Sequence, residues 1–404
     1  MMLNKLKKLG PGLLFAGAAI GVSHLVQSTR AGADYGFGLI WALLLVHLFK
    51  YPFFQYAARY AGATGESLLE GYYKLGKGVL VIYLVLTFAT MFTIQTAVTI
   101  VTAGIANTLF GGTIGTEIWS VIILGICIAI LILGRYKFLD NLMKVIIVML
   151  TVSTMVAVFL ALKDSNTTIA FEQILPRNEV GIVFLIAFMG WMPAPLDISV
   201  WQSLWTIEKK KNIEIKTKAA LFDFNIGYAS TIVLGIGFVS LGSIVMYNSG
   251  ETFSNSASEF SRQLINMYTN SLGNWAYALI GIAALTTMFS TTLTTLDASP
   301  RAMHKTTQLL FKKNFVFGYK FWIGILTIGT ISILLFFISE MGFLVKTATV
   351  LSFITAPFYA IVNYRLLSSC YTPKEWRPST GLHILSILGI VFLIGFSIWY
   401  LTIL

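Results

Sequence analysis

Charge is what this sequence has least of. Asp, Glu, Lys and Arg make up 11% of its 404 residues, where soluble domains carry about 25%. That deficit excludes a water-solvated globule, a disordered chain and a nucleic-acid binder built on a basic surface. Cysteine is nearly absent: Cys127 falls in an apolar run and Cys370 in a polar connection, which gives neither a disulfide framework nor a metal-ligand spacing. The chain has no Gly-Lys-Thr/Ser phosphate loop, so it cannot by itself be an ATP-driven pump. Nothing in it reads as an enzyme. The acids number 17 against 28 basic residues, and the placement of that excess matters more than its sum.

What the sequence has in quantity is long apolar runs. A spanning helix needs about 20 mainly apolar residues. Residues 9–29, 78–116, 118–134, 145–162, 224–250, 263–296, 321–339, 347–364 and 378–404 contain no charged side chain, and residues 36–58 and 180–207 contain one each, Lys50 and Asp197. These are eleven spans. They are too long and too continuously apolar for barrel strands, so the expectation is an all-α integral membrane protein. Alternate connections collect 22 of the 28 basic residues on one side and five on the other, with Lys50 inside the membrane. The positive-inside rule then puts the N-terminus in the cytoplasm and the C-terminus outside. Residues 251–264, between spans seven and eight, are expected to form a short amphipathic helix on the external face.

Two spans are poor continuous helices. Span one opens with Gly10-Pro11-Gly12 and reaches Gly21, Val22, Ser23 and His24 near mid-membrane; span six reads Gly190-Trp191-Met192-Pro193-Ala194-Pro195-Leu196-Asp197. Proline removes an amide donor and clashes with the preceding turn, so both helices must break. Unwound backbone at membrane depth is tolerated only beside protein or a cavity, and interrupted helices at matching places in two halves mark a secondary transporter's binding site. The spacing of five fits a 5+5 inverted repeat within a single transporter domain. Repeat one covers about 9–162 and repeat two about 180–364, with an eleventh helix at about 380–403.

Gly10-Pro11-Gly12-Leu13-Leu14, Ala31-Gly32-Ala33 with Tyr35-Gly36, Thr64-Gly65 after the second span, and Met192-Pro193 in the sixth together resemble the Nramp family of divalent-metal transporters. The resemblance implies the amino acid–polyamine–cation superfamily and a LeuT-like fold. It also shows where this chain departs. The family's Asp-Pro-Gly-Asn metal motif corresponds to Gly21, Val22, Ser23 and His24, so the metal-binding carboxylate is missing. The His of its Met-Pro-His motif corresponds to Ala194, and a further His to Ser199. The residue that would offer a carbonyl is Met189.

The resemblance therefore implies a substrate site around Gly21, Ser23, His24, Met189, Met192 and Asp197, with His24, Met192 and Asp197 as candidate metal ligands. Each has an ordinary alternative. Asp197 is either a replacement carboxylate or half of a salt bridge to Lys50. His24 is either a ligand or proton carrier at the break or a satisfied structural histidine. Lys50, with His47 three residues before it on one face, is either a snorkelling lysine or a fixed cation on the pathway. In LeuT-fold transporters a sodium site commonly lies between span-one carbonyls and span-eight hydroxyls, and Ser290 and Thr294 with carbonyls near Ala18 and Gly21 are similar. Gln95, Thr99 and Thr102 either line a polar cavity or bond between helices. Asp223 and Asp297 are candidates to anchor cytoplasmic gates.

The leading expectation is an Nramp-related secondary-active importer of a metal cation, with atypical selectivity and coupling. The alternative is a sodium-coupled transporter of a small non-metal solute, an anion attracted by Lys50 among them. No permanently bound cofactor is expected. Na+ or H+ is the expected coupling ion, and the expected partners are the bilayer and a small ion or solute, with no nucleic acid, in a plasma or inner membrane. A monomer suffices.

Overall fold

The computed structural model describes residues 10–402 except 112–113, 134–135, 165–170, 211–215, 248–251, 312–317 and 338–339. Lys5, Lys7, Lys8, Arg135, Lys211, Lys312 and Lys313, which enter the orientation count, lie outside the described residues. Among the described residues all regular structure is helical. In chain order the helices are α1 (Pro11–Ala19), a π-helical stretch (Ser23–Ser28), α2 (Thr29–Tyr35), α3 (Ile40–Thr64), α4 (Leu68–Leu75), α5 (Lys77–Phe110), α6 (Thr116–Ile132), α7 (Tyr136–Asp164), α8 (Glu179–Trp191) and α9 (Ile198–Lys210). There follow α10 (Thr217–Val245), α11 (Ala257–Leu272), α12 (Ala276–Phe311), α13 (Tyr319–Ser332) with a π-helical end (Ile333–Phe337), α14 (Met341–Ser368) and α15 (Thr380–Leu401).

These helices account for the eleven spans. Span one is α1, the π stretch and α2, and span six is α8 and α9. Val85, Phe159, Ile328 and Val391 are 60%, 67%, 68% and 63% exposed. Apolar side chains turned outward from so many helices fit hydrocarbon and do not fit water.

One boundary differs from expectation. The helix expected after residue 251 extends to Leu272, past residue 264, so Gln263 lies within it and span eight starts only at Ala276. The lack of charge across 263–296 hid a helix end, which is made by Gly273 at φ +92° and the Asn274 that follows. Span eight then runs on to Phe311, well past Leu296.

Span one is held by α10, which packs against α1, the π stretch and α2. The contact is made backbone to backbone. A Cβ on Gly12 would lie 2.1 Å from the Asp223 carbonyl oxygen, and one on Gly32 would lie 2.1 Å from that of Val239. Small residues at such crossings let two membrane helices approach closely. Elsewhere in the bundle α14 packs against α8, and α12 packs against α5.

Candidate functional site

The centre of the molecule is the break in span six. Helix α8 stops at Trp191, and Met192 to Asp197 run without regular structure, with a cis peptide bond between Met192 and Pro193, before α9 begins at Ile198. The last carbonyls of a helix have no intrahelical partner and form the negative end of its dipole. Here those carbonyls have found a cation. Lys50, fully buried on α3, donates from Nζ to Met189 O at 2.8 Å, to Gly190 O at 2.7 Å and to Ala194 O at 3.4 Å. Three carbonyls thus face the three donors of the ammonium. The salt bridge to Lys50, the ordinary alternative weighed for Asp197, does not form; Lys50 is held by neutral carbonyls.

Span one breaks at Ile20 and Gly21, at the start of the stretch expected, and the chain rewinds as a π-helix carrying Ser23 and His24. His24 is fully buried and both ring nitrogens are occupied. Nε2 lies 3.0 Å from Thr231 O, which only accepts, so Nε2 carries a proton. Nδ1 lies 2.7 Å from Ser23 Oγ, which is also 2.7 Å from Ala19 O. His24 therefore cross-links spans one and seven, and its Nδ1 lies against a hydroxyl whose single proton goes either to that nitrogen or to Ala19 O. Gly21 lies against span eight, where a Cβ would come within 2.8 Å of Thr291 Oγ1.

Met192 and Asp197 lie at opposite ends of the unwound stretch. Met192 is fully buried, and its sulfur faces Ser28 Oγ at 3.9 Å across the two breaks. Asp197 is 5% exposed and its Oδ1 has no hydrogen-bond partner. Beyond it a satisfied network ties span six to its neighbours: Asn363 Nδ2 donates to Ser199 Oγ at 3.1 Å and to Phe53 O at 3.1 Å, while Tyr72 Oη donates to Asn363 Oδ1 at 2.5 Å. Trp191 Nε1 donates to Ser352 Oγ at 2.8 Å, fixing the end of α8 to α14.

The other sequence candidates separate into those near the breaks and those elsewhere. His47 hydrogen-bonds through Nδ1 to Leu43 O at 2.7 Å, and its buried Nε2 has no partner. Gln95 bridges spans three and eight, donating to Thr292 O at 3.3 Å, and Thr102 and Thr292 meet at 2.7 Å, so this polar face bonds helix to helix. In span eight the hydroxyl that faces span one belongs to Thr291, 3.5 Å from Gly17 O, whereas Ser290 and Thr294 are buried on either side of it. Asp223 accepts from the amides of Gly10 and Gly12 at 2.9–3.1 Å and thereby caps the start of α1. Asp297 holds Arg301 at 2.7 Å together with the Tyr319 hydroxyl.

Sequence reasoning missed the Gly190 and Ala194 carbonyls, Thr291 and the capping role of Asp223. A carbonyl has no sequence signature of its own; only the prolines showed that some would be free. Among the described residues no three His, Cys, Asp or Glu side chains come together as a metal site.

Comparison with known proteins agrees with this architecture. The family model described as natural resistance-associated macrophage protein-like (Nramp) matches residues 12–402. An uncharacterized protein of Pasteurella multocida (strain Pm70) is 34% identical over 406 residues, covering 99% of this chain and 93% of that one. Among solved structures, a mutant of the Eremococcus coleocola manganese transporter superposes with a TM-score of 0.74 at 14% identity, over 96% of this chain and 84% of that one. MhsT in complex with L-phenylalanine gives 0.65 at 14% identity, over 96% of this chain and 98% of that one. Mhp1, a nucleobase-cation-symport-1 family transporter, gives 0.60 at 14% identity, over 97% and 92%. The fold is LeuT-like, with broken first and sixth spans and an appended eleventh helix, and the chain belongs to the Nramp family of membrane transporters.

Proposed function

We propose that this protein is a secondary-active transporter that works by alternating access about the breaks in spans one and six, and that its cargo is a small non-metal solute. The observation that carries this reading is the Lys50 ammonium at 2.7–2.8 Å from the Met189 and Gly190 carbonyls. Carbonyl oxygens at a helix end replace an ion's hydration shell, and here a tethered ammonium already takes that place. A divalent metal entering the same oxygens would meet a fixed positive charge a few ångströms away, at a depth where charges are poorly screened. The ligand set points the same way, because Gly21 supplies no carboxylate and the Nε2 of His24 is engaged with Thr231 O. The Asp197 oxygen without a partner and the Met192 sulfur remain for a solute with a donor or an apolar part.

The reading as a metal importer has its own support, from the family and from the manganese transporter similar in fold. On it, Asp197, Met192 and a reoriented His24 would ligate the ion, and Lys50 would have to leave. For coupling we favour sodium, with Thr291 and the Gly17 carbonyl joining Ser290 and Thr294 as the candidate site, and a proton as the alternative. The two repeats, 9–162 and 180–364, would rock about the breaks, with the N-terminus cytoplasmic in a plasma or inner membrane and the monomer as the working unit.

Uptake into proteoliposomes tests the choice. The expected result is no saturable uptake of Mn²⁺, Mg²⁺ or Ca²⁺ with either a sodium or a proton gradient. Metal uptake that disappears in Asp197→Ala would overturn the solute reading.

A further inference from the structure

Beyond the breaks, towards the end of the molecule that carries few basic residues, lies a cavity of about 300 Å³. That is the size of a small-solute pocket. It opens between the second half of span one, α8, the start of α14 and the segment before α11. Gln27 in its wall follows His24 by three residues, and Ala187 precedes Gly190 by three, so the cavity stands directly before the site described above.

Its walls differ in chemistry. Phe184 and aliphatic neighbours on α8 make one side apolar, while Gln27, Arg30, Asn255, Glu340 and Lys346 make the other polar. Gln27 is 4% exposed, yet its Oε1 accepts no hydrogen bond. A buried acceptor left unpaired is unfavourable, and a ligand donor would remove that cost. Arg30 is held in place, donating to Asn255 Oδ1 at 3.2 Å and to Ser254 O, with its guanidinium 5.3 Å from the centre of the Phe260 ring. Its Nε–H is buried without an acceptor. Among the described residues neither Glu340 nor Lys346 forms an ion pair.

We propose that this cavity binds a zwitterionic solute of the amino-acid type, its carboxylate on Arg30 and Lys346, its ammonium on Glu340 and its side chain along α8. Arg30, whose charge Asp34 partly offsets, together with the exposed Lys346 and Glu340, sets charges of both signs around one cavity, and that mixture fits a zwitterion. A simple carboxylate would leave Glu340 unanswered, and a simple amine would face two like charges. The inference rests on the solute reading of the cargo and names its chemical class.

The test is calorimetric titration of the purified full-length protein with L-norvaline, pentanoate and butylamine, which share a chain length and differ in charged groups. The wild type is expected to bind L-norvaline at least tenfold more tightly than either analogue, and Lys346→Met and Glu340→Gln are each expected to weaken it about tenfold. No binding of L-norvaline, equal binding of pentanoate, or affinity unchanged in both variants overturns the proposal. Titration needs no transport, so the two readings fail separately. Binding of L-norvaline by a protein that imports Mn²⁺ would sustain this site and overturn the solute reading of the central one.

Discussion

The Lys50 ammonium rests 2.7 Å from the Gly190 carbonyl, so a side chain of span two closes the broken helix of span six. Burying an ammonium is costly unless its donors are met, and breaking such an arrangement on one side strands the other. Lys50→Ala is expected to destabilise the protein by on the order of 3 kcal/mol, because two or three buried carbonyls lose their donor. A small cation should then enter the vacated oxygens. Thermal unfolding in sodium chloride and in choline chloride checks this: Lys50→Ala should melt higher in sodium, and the wild type should not distinguish the salts.

Gly190 has a second constraint, since a Cβ there would fall 2.2 Å from the Thr349 carbonyl oxygen. Backbone cannot move aside as a flexible side chain can. Gly190→Ala is expected to cost about 1–3 kcal/mol as overpacking and to pull Trp191 from Ser352, which intrinsic fluorescence would register. Gly395→Ala, where nothing lies within 4 Å of the new Cβ, serves as the control and should change stability by less than about 0.5 kcal/mol.

The Asp223 carboxylate receives the Gly10 and Gly12 amides at the start of α1. Charge-assisted caps of this kind are among the stronger hydrogen bonds. Asp223→Ala should lose about 1–2 kcal/mol, seen as a lower melting temperature, and should expose residues 10–19 to faster hydrogen exchange than the rest of the bundle.

The α4 connection carries a pH-sensitive contact. Burial alone would raise the Glu70 pKa, but hydrogen bonds from Ser67 and the Lys305 ammonium at 3.0 Å outweigh it and hold the carboxyl below its ordinary value. A depressed carboxylate contributes stability above its unfolded pKa and loses it as pH falls through the folded one. Acidification below about pH 4 should therefore loosen α4 from α12. Melting of the wild type should fall more steeply over that range than melting of Glu70→Gln.

The spans and both breaks were legible in the sequence because charge-free length and proline act locally and cannot be overridden in hydrocarbon. The end of α11 was not, since Gly273 and Asn274 interrupt a run that stays uncharged throughout. At the site, Lys50 and Asp197 stood out as the rare charges of their spans. The partners of Lys50 were not legible, because an acid shows in a sequence and a free carbonyl does not. His24 has the same explanation: its position at a break suggested a ligand, and only three dimensions show Thr231 O facing Nε2. Thr291 did not stand out beside Ser290 and Thr294, since a hydroxyl at nearly every position of span eight leaves the face toward span one unmarked.

The central claim is that Lys50 fills the place of a cation, and titration of purified protein with Mn²⁺ tests it most directly. The account predicts no heat of binding for the wild type at millimolar Mn²⁺ and measurable binding once Lys50→Ala empties the carbonyl cage. Saturable Mn²⁺ binding by the wild type, undiminished by the presence of Lys50 and lost in Asp197→Ala, would contradict it.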